Sequence, residues 1–165
     1  ETVMVPTLRL NSFILKPPWR RDDWELALSR LPGKVEKDWL FQTETRRSAP
    51  AGDLRFANWS MFLTKRMHDA GVAFGAGTDV PINLSVPGYS LHSELDMLVR
   101  AGLTPMEAIE AATLTPARFF GLEDEMGSIS EGQVADLVLL AGNPLEDINN
   151  TKSIQKVISK GQILK

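Results

Sequence analysis

The stretch that most constrains the fold is a short apolar segment that ends in glycines and a carboxylate. Residues 72–76 are Val-Ala-Phe-Gly-Ala, which is too short for a helix and predicts a strand buried on both faces. Gly77, Thr78 and Asp79 follow directly. The sequence thus places a carboxylate at the carboxyl end of a buried strand, the position at which barrel enzymes keep catalytic groups.

The remaining pattern predicts β/α alternation followed by a separate set of strands. A second buried strand is expected at 3–8, helices at 24–31, 53–70, 91–101 and 115–120, a further helix that starts at 104–107, and strands at 127–129 and 135–140 with a hairpin over 157–164. Residues 34–52 give no clear prediction. The alternating part suits a parallel sheet, and the late strands suit a second, smaller sheet.

Composition excludes several classes of protein. A chain of 165 residues with 43% hydrophobic residues can bury one core, and its net charge of −3 is too small to favour nucleic acid or a membrane surface as partner. No apolar run approaches the ~18 residues of a membrane span. The absence of cysteine excludes disulfides and thiolate metal sites and fits a cytoplasmic protein.

Asp79 is the strongest candidate for chemistry. Glycines beside it allow close approach of a ligand, and a carboxylate can both bind a cation and accept a proton from water. The alternative is a glycine-rich turn in which the aspartate hydrogen-bonds to its own backbone. A dinucleotide-binding loop is excluded because the third glycine that it needs would fall at Val80.

The other polar candidates carry weaker signals. His92 flanks the apolar face of the 91–101 helix, where it would either face the mouth of a site and contact substrate or donate to a carbonyl. His68 is expected beside the last carbonyls of its helix. Glu94 fits a solvated helix start. Without a His-x-His motif, the two histidines do not make a zinc site on their own.

Helical spacing also predicts core residues. Trp24 belongs to an apolar face with Ala27 and Leu28, and Trp59 shares one side of its helix with Phe56, Leu63 and Met67. Both tryptophans are therefore expected in the core, with substrate contact as the minor alternative.

Residues 72–165 resemble the C-terminal part of the amidohydrolase superfamily, in particular its prolidase-like and imidazolonepropionase-like branch. The resemblance rests on Gly-Ala-Gly-Thr-Asp at 75–79, Leu-His-Ser-Glu-Leu at 91–95, Ala-Gly-Leu-Thr-Pro at 101–105 and Ala-Asp-Leu-Val-Leu-Leu at 135–140. Shorter matches occur in the same order between and after these motifs. Residues 3–8 look like the seventh strand of the family, and residues 9–71 match loosely.

The resemblance implies an α/β fold: the C-terminal portion of a (β/α)8 TIM-like barrel, about its last two β/α units, followed by part of a small β-sandwich. Residues 1–125 would form the barrel segment and 126–165 the sandwich strands. Asp79 would then bind a divalent metal, most commonly zinc, and act as general base on the metal-activated water that attacks a C–N bond.

The other metal ligands of the family have no counterpart in this chain. We therefore expect the chain to begin after the sixth strand, to bind metal poorly alone and to hydrolyse nothing alone. The first hypothesis is the C-terminal part of a metal-dependent amidohydrolase with a small-molecule substrate, such as a dipeptide or an acylated amino acid. The alternative is a non-catalytic or split-enzyme subunit that self-associates or pairs with an N-terminal part.

Overall fold

The computed structural model describes residues 2–15, 17, 23–47 and 53–164. The helices in these ranges are α1 Arg9–Leu15, α2 Trp24–Leu28, α3 Gly33–Arg47, α4 Arg55–Asp69, α5 Tyr89–Ala101, α6 Pro105–Ala112 and α7 Leu114–Phe120. The strands are β1 Val3–Met4, β2 Ala73–Phe74, β3 Leu137–Leu140, β4 Ile154–Ser159 and β5 Gln162–Ile163. Short 3-10 segments lie at Ile82–Leu84 and Ile148–Lys152.

The strands form two separate sheets. β1 pairs with β2 in parallel, with Val3 opposite Ala73 and Met4 opposite Phe74. β3, β4 and β5 form an antiparallel sheet in that order, and β4 and β5 make the hairpin expected around Lys160 and Gly161. The mixed α/β class is confirmed. The domain boundary at 125/126 stays a prediction.

Helix α5 lies at the centre of the main core. It packs against α1, α4, α6 and Ile148–Lys152, so its buried residues cover a broad side of the helix rather than one narrow stripe. The core around it consists of Leu8, Phe74, Leu95, Met97, Leu98, Ala101, Leu103, Ala108, Ala111 and Ile148. Burial of this apolar surface is the main stabilising contribution to the fold.

The junction between α5 and α6 follows its sequence signals closely. Gly102 ends α5 with a φ of 115°, a left-handed conformation that glycine adopts without a Cβ penalty. Thr104 and Glu107 then form a complete capping box at the start of α6, with Pro105 in its first turn. Local chemistry alone was enough to place this turn.

A second, smaller core confirms the prediction for Trp24. The indole is 2% exposed and packs with Ala27 and Leu28 of α2, Trp39 of α3, and the loop residues Leu84 and Val86. Helix α3 accounts for most of the 34–52 segment that gave no prediction. The apolar side chains of α3 do not recur on one face, so helical periodicity gives no signal in this segment. Trp39 is buried, whereas Phe41 is 72% exposed.

The predicted packing face of α4 is wrong. Of its four members only Met67 packs against the main core, whereas Phe56, Trp59 and Leu63 are exposed and the buried positions are Ala57 and Thr64. These two small side chains lie two turns apart and let α1 and α5 approach closely, so contact with the core favours them over the larger apolar residues.

Two further expectations are wrong. The strand predicted at 127–129 is absent because the backbone N–H of Ser128 donates to the Gln133 side chain and Ile129 points into solvent. Residues 9–15 lie in the loop that we expect between the 3–8 strand and Pro17, and they form helix α1 instead. Among the described helices, none has the length and apolarity needed to cross a membrane.

Candidate functional site

The carboxyl end of β2 is held between two other elements. The N–H of Gly75 donates to the carbonyl of Met4 over 2.9 Å, and the N–H of Ala76 donates to the carbonyl of Ala111 over 2.8 Å. A Cβ on Gly77 would collide with Cγ1 of Val5. The strand end therefore needs a glycine at position 77, because the backbone passes directly against the residues that follow β1.

Asp79 lies at the exposed start of the loop after β2. Its φ is 53°, in the left-handed region that aspartate tolerates better than most residues. Its carbonyl accepts the N–H of Ile82 over 2.9 Å, which closes a turn. No described residue hydrogen-bonds or ion-pairs with its carboxylate, so the side chain stands open to a ligand rather than being bonded to its own backbone.

Arg9 lies beneath this loop and is 4% exposed. Its Nε donates to the carbonyl of Thr78 and its Nη2 donates to the carbonyl of Ile82. These two carbonyls belong to the residue before Asp79 and to the residue three after it. One guanidinium thus spans the turn that carries Asp79.

Glu94 lies behind Arg9 and is completely buried. Its Oε2 accepts the backbone N–H of Arg9 over 2.5 Å, and its Oε1 has no partner among the described residues. Burial raises the pKa of Glu94 to about 7, although the N–H groups of Arg9 and Leu8 and the Arg9 charge act in the opposite direction.

The expectation of a solvated Glu94 is therefore wrong. Its spacing held the missing signal: Glu94 lies three residues after Leu91 and four before Leu98, on the apolar side of α5. A carboxylate at a core position of an amphipathic helix predicts a buried polar partner.

His92 lies away from this loop and against the Ile148–Lys152 segment. Its Nδ1 is 3.0 Å from Oγ1 of Thr151. Because the Thr151 hydroxyl donates to the carbonyl of Ile148, it accepts here, and Nδ1 carries the proton. Burial, together with the positive charge of Lys152, lowers the pKa of His92. The neutral ring keeps Nε2 as an acceptor.

The charged neighbours of His92 bind one another. Tyr89 donates its hydroxyl to Oδ1 of Asp23 over 2.6 Å, and Nζ of Lys152 lies 3.3 Å from Oδ2 of Asp23. This cluster ties α2 to α5 and to the 3-10 segment at Ile148–Lys152. The structure thus brings His92 together with Thr151 and not with Asp79.

His68 makes a contact between helices. Its Nε2 lies 3.1 Å from Oε1 of Glu107, which links the end of α4 to the capping box of α6. The expected contact with the last carbonyls of α4 is replaced by this side-chain pair.

The residues that the structure describes do not by themselves form a metal centre. Within them, no group of three or more histidine, aspartate or glutamate side chains is placed to hold an ion. Asp79 offers one carboxylate ligand, whereas Glu94, His68 and His92 face other partners. A full ligand set would need donors from outside these residues.

Comparison with known proteins assigns the chain to a class. A sequence model of the Amidohydrolase family matches residues 60–164, which include β2, the Asp79 loop, α5 to α7 and the antiparallel sheet. The chain belongs to the amidohydrolase family, as the resemblance at its glycine-rich motifs predicted.

Individual relatives agree with that class. The chain is 38% identical over 101 residues to the ochratoxinase of Aspergillus niger, an alignment that covers 58% of this chain and 20% of the relative. It is 39% identical over 88 residues to the imidazolonepropionase of Deinococcus deserti, covering 53% of this chain and 22% of the relative. The chain thus spans about a fifth of the length of these curated relatives.

A solved structure extends the similarity to the whole fold. A Xaa-Pro dipeptidase with methionine bound in its active site matches with a TM-score of 0.69 at 24% identity. The match covers 99% of this chain and 34% of the dipeptidase chain. It supports the fold over the N-terminal residues that the family model does not reach.

Proposed function

We propose that this chain is the C-terminal part of a metal-dependent amidohydrolase that hydrolyses a C–N bond in a small molecule. The observation that carries the proposal is the open carboxylate of Asp79, at the carboxyl end of β2 and inside the region that matches the family. Enzymes built on parallel β/α units keep their reacting groups at this end of the strands.

The same proposal covers the architecture. β1 and β2 with their helices would be about the last two β/α units of a TIM-like barrel over residues 1–125. The antiparallel sheet β3–β5 would be part of a β-sandwich over 126–165. The parallel pairing of β1 with β2 and the separate antiparallel sheet support this arrangement, as does the fold similarity to the dipeptidase.

In the proposed reaction Asp79 has two roles. It is one ligand of a divalent metal, with zinc as the first choice, and it accepts a proton from the attacking water. The metal, when bound, lowers the pKa of that water and polarises the carbonyl of the substrate. Since the described residues supply one such ligand, we propose that the chain alone has little or no activity.

The relatives point to a class of substrate. They are an ochratoxinase, an imidazolonepropionase and a Xaa-Pro dipeptidase by name. We propose a dipeptide or an acylated amino acid as substrate. His92 remains the candidate substrate contact through its free Nε2, since Nδ1 is occupied by Thr151.

The test uses the longest reading frame that contains this chain. We expect the purified protein to hold a divalent metal by elemental analysis and to hydrolyse a member of a panel of Xaa-Pro dipeptides and N-acyl amino acids. Asp79→Asn should lower kcat/KM by about a thousandfold, because both metal binding and proton transfer suffer.

The matched control is Asp124→Asn, a change of the same chemistry at an exposed turn after α7. It should leave kcat/KM unchanged. Full activity of the Asp79→Asn variant would contradict the proposal. Stoichiometric zinc with hydrolysis by the 165-residue chain alone would contradict its inactivity.

A second candidate function is pairing. The apolar face of α4, defined here as Phe56, Trp59, Phe62 and Leu63, is exposed along its length. β1 and β2 form a two-stranded sheet, so in the described part of the chain each has an unpaired edge. Both features favour self-association or pairing with an N-terminal part of the enzyme.

A further inference from the structure

We propose that Arg9 is the positioning residue of the Asp79 loop and that Glu94 fixes Arg9 in place from behind. The inference rests on the proposed function, because it assigns a purpose to the loop that holds Asp79. It adds to the site two buried residues, one from helix α1, which follows β1, and one from α5.

The guanidinium of Arg9 bridges the two ends of the turn that carries Asp79. Arg9 binds the carbonyls of Thr78 and Ile82, which flank Asp79, while Asp79 itself is closed into a turn by the Ile82 N–H. Hydrogen bonds from a charged donor are roughly twice as strong as those between neutral groups. Two of them from one planar group fix the separation of the two carbonyls and hold the left-handed backbone of Asp79.

The carboxylate of Glu94 holds the backbone of Arg9. A guanidinium can position a loop only if its own backbone is fixed, and Glu94 binds the backbone N–H of that same residue. Glu94 sits on α5, the helix at the centre of the core. The chain of contacts therefore runs from α5 through Glu94 and Arg9 to the loop.

The burial of both charged side chains indicates that they have a role which apolar residues could not fill. Arg9 and Glu94 are both buried, so each would be costly to keep without a partner. An apolar pair would fill the same space without the desolvation cost. The polar pair does what an apolar pair cannot, since it binds two backbone carbonyls of an exposed loop.

Hydrogen exchange of the chain, measured by NMR without metal or substrate, tests the inference. The reporters are the N–H groups of Ile82 and Ser85, which bond within the loop. In Arg9→Met we expect their exchange to rise about tenfold or more, while the N–H groups of residues 95–98 in α5 change less. A general loss of stability would raise both sets equally, and that outcome would overturn the proposal.

Arg100→Met is the matched control, because Arg100 is on α5 and pairs only locally with Asp96 at the surface. It should leave the loop reporters unchanged. Glu94→Gln should raise loop exchange less than Arg9→Met, and the double variant should add nothing to Arg9→Met. If the increase in exchange rate in the double variant equals the product of the two single increases, the two residues act independently, which would contradict the inference.

Arg9→Lys keeps the test decisive if Arg9→Met does not fold. Lysine retains the charge, but its single nitrogen replaces a fork that reaches two carbonyls. Loop exchange should rise by about threefold or more, and exchange at the wild-type rate would overturn the proposal. Because no metal enters the measurement, its result is independent of the hydrolase assay. If the full-length protein hydrolyses none of the substrates but the Arg9 variants exchange selectively faster in the loop, only the proposed function is contradicted and the inference stands.

Discussion

At the scale of single residues, Glu94 couples the stability of the fold to pH. Burial raises its pKa from 4.5 to about 7 in the folded chain. Between these values the folded state binds more protons than the unfolded state. The contribution of Glu94 to stability is therefore fully present below about pH 4.5 and is lost as the pH rises through about 7.

This behaviour predicts a difference between wild type and Glu94→Gln. Because glutamine stays neutral, the wild type should lose stability relative to the variant by roughly 2.5 kcal/mol between pH 5 and pH 8. Urea unfolding at each pH measures it. His92 has the opposite effect, since its pKa is lowered, but it is present in both proteins and cancels in the difference. Parallel stability curves would contradict the prediction.

Residue types at recognisable spacings were predictable, and so was the burial of the apolar Trp24, whereas the burial of the polar Glu94 was not. Asp79 was identified because glycines and a strand precede it along the chain. Glu94 was misjudged because its burial depends on Arg9, which is 85 residues away in sequence. With the helix expected to begin at residue 91, Glu94 falls in the first turn, where a negative charge is favourable for a local reason, but α5 begins at Tyr89 and has no acidic residue in its first turn.

At the scale of elements, the turn after α7 depends on Gly127. Its φ is +99°, and a Cβ there would lie 2.7 Å from Cβ of Ala117 and 3.1 Å from Cα of Leu114. The backbone of this segment therefore lies directly against the start and middle of α7. A side chain at this point would push the connection to the antiparallel sheet away from the helix.

We predict that Gly127→Ala destabilises the fold more than Gly132→Ala. Gly132 has a similar φ of +91° but open space around it, so its substitution costs only the backbone strain, about 1 kcal/mol. Gly127→Ala adds overpacking of about 2 kcal/mol. Thermal unfolding of the two variants measures the difference. Equal unfolding midpoints would show that the close contact of Gly127 with α7 does not affect stability.

Elements with local signals were predicted, and those without were missed. The capping box at Thr104 and the glycine after α5 fixed two helix ends from sequence alone. Helix α3 has no apolar face to detect, and in α4 the large apolar residues Phe56, Trp59 and Leu63 lie outside the buried side. Which side of α4 packs was decided by the small residues Ala57 and Thr64, whose role depends on the neighbouring helices.

At the scale of the whole molecule, the apolar face of α4 should govern association. Trp59 and Phe62 lie beside each other with ring centroids 5.8 Å apart, and both are 56% exposed. Removing them takes away the largest part of that surface without touching the core.

We expect the chain to self-associate and the double variant Trp59→Ser with Phe62→Ser to be shifted toward monomer. Sedimentation velocity across a dilution series measures the shift. Ile129→Ser is the control, because Ile129 is 89% exposed but lies far along the chain, after α7. A wild-type chain that sediments as a compact monomer would rule out self-association through this face.

The pairing of β1 with β2 has a consequence for the order in which the chain folds. The two strands are neighbours in space, yet the whole segment 5–72 lies between them. Closing a flexible loop of that length costs about 4 kcal/mol in chain entropy. Between the two strands, two residue pairs and the hydrogen bond from Gly75 to Met4 offset this cost. The α6–α7 pair and the antiparallel sheet have mostly local partners and can form earlier. The docking of β1, which brings Arg9 under the Asp79 loop, is then a late step, so the candidate site is completed only when folding is nearly finished.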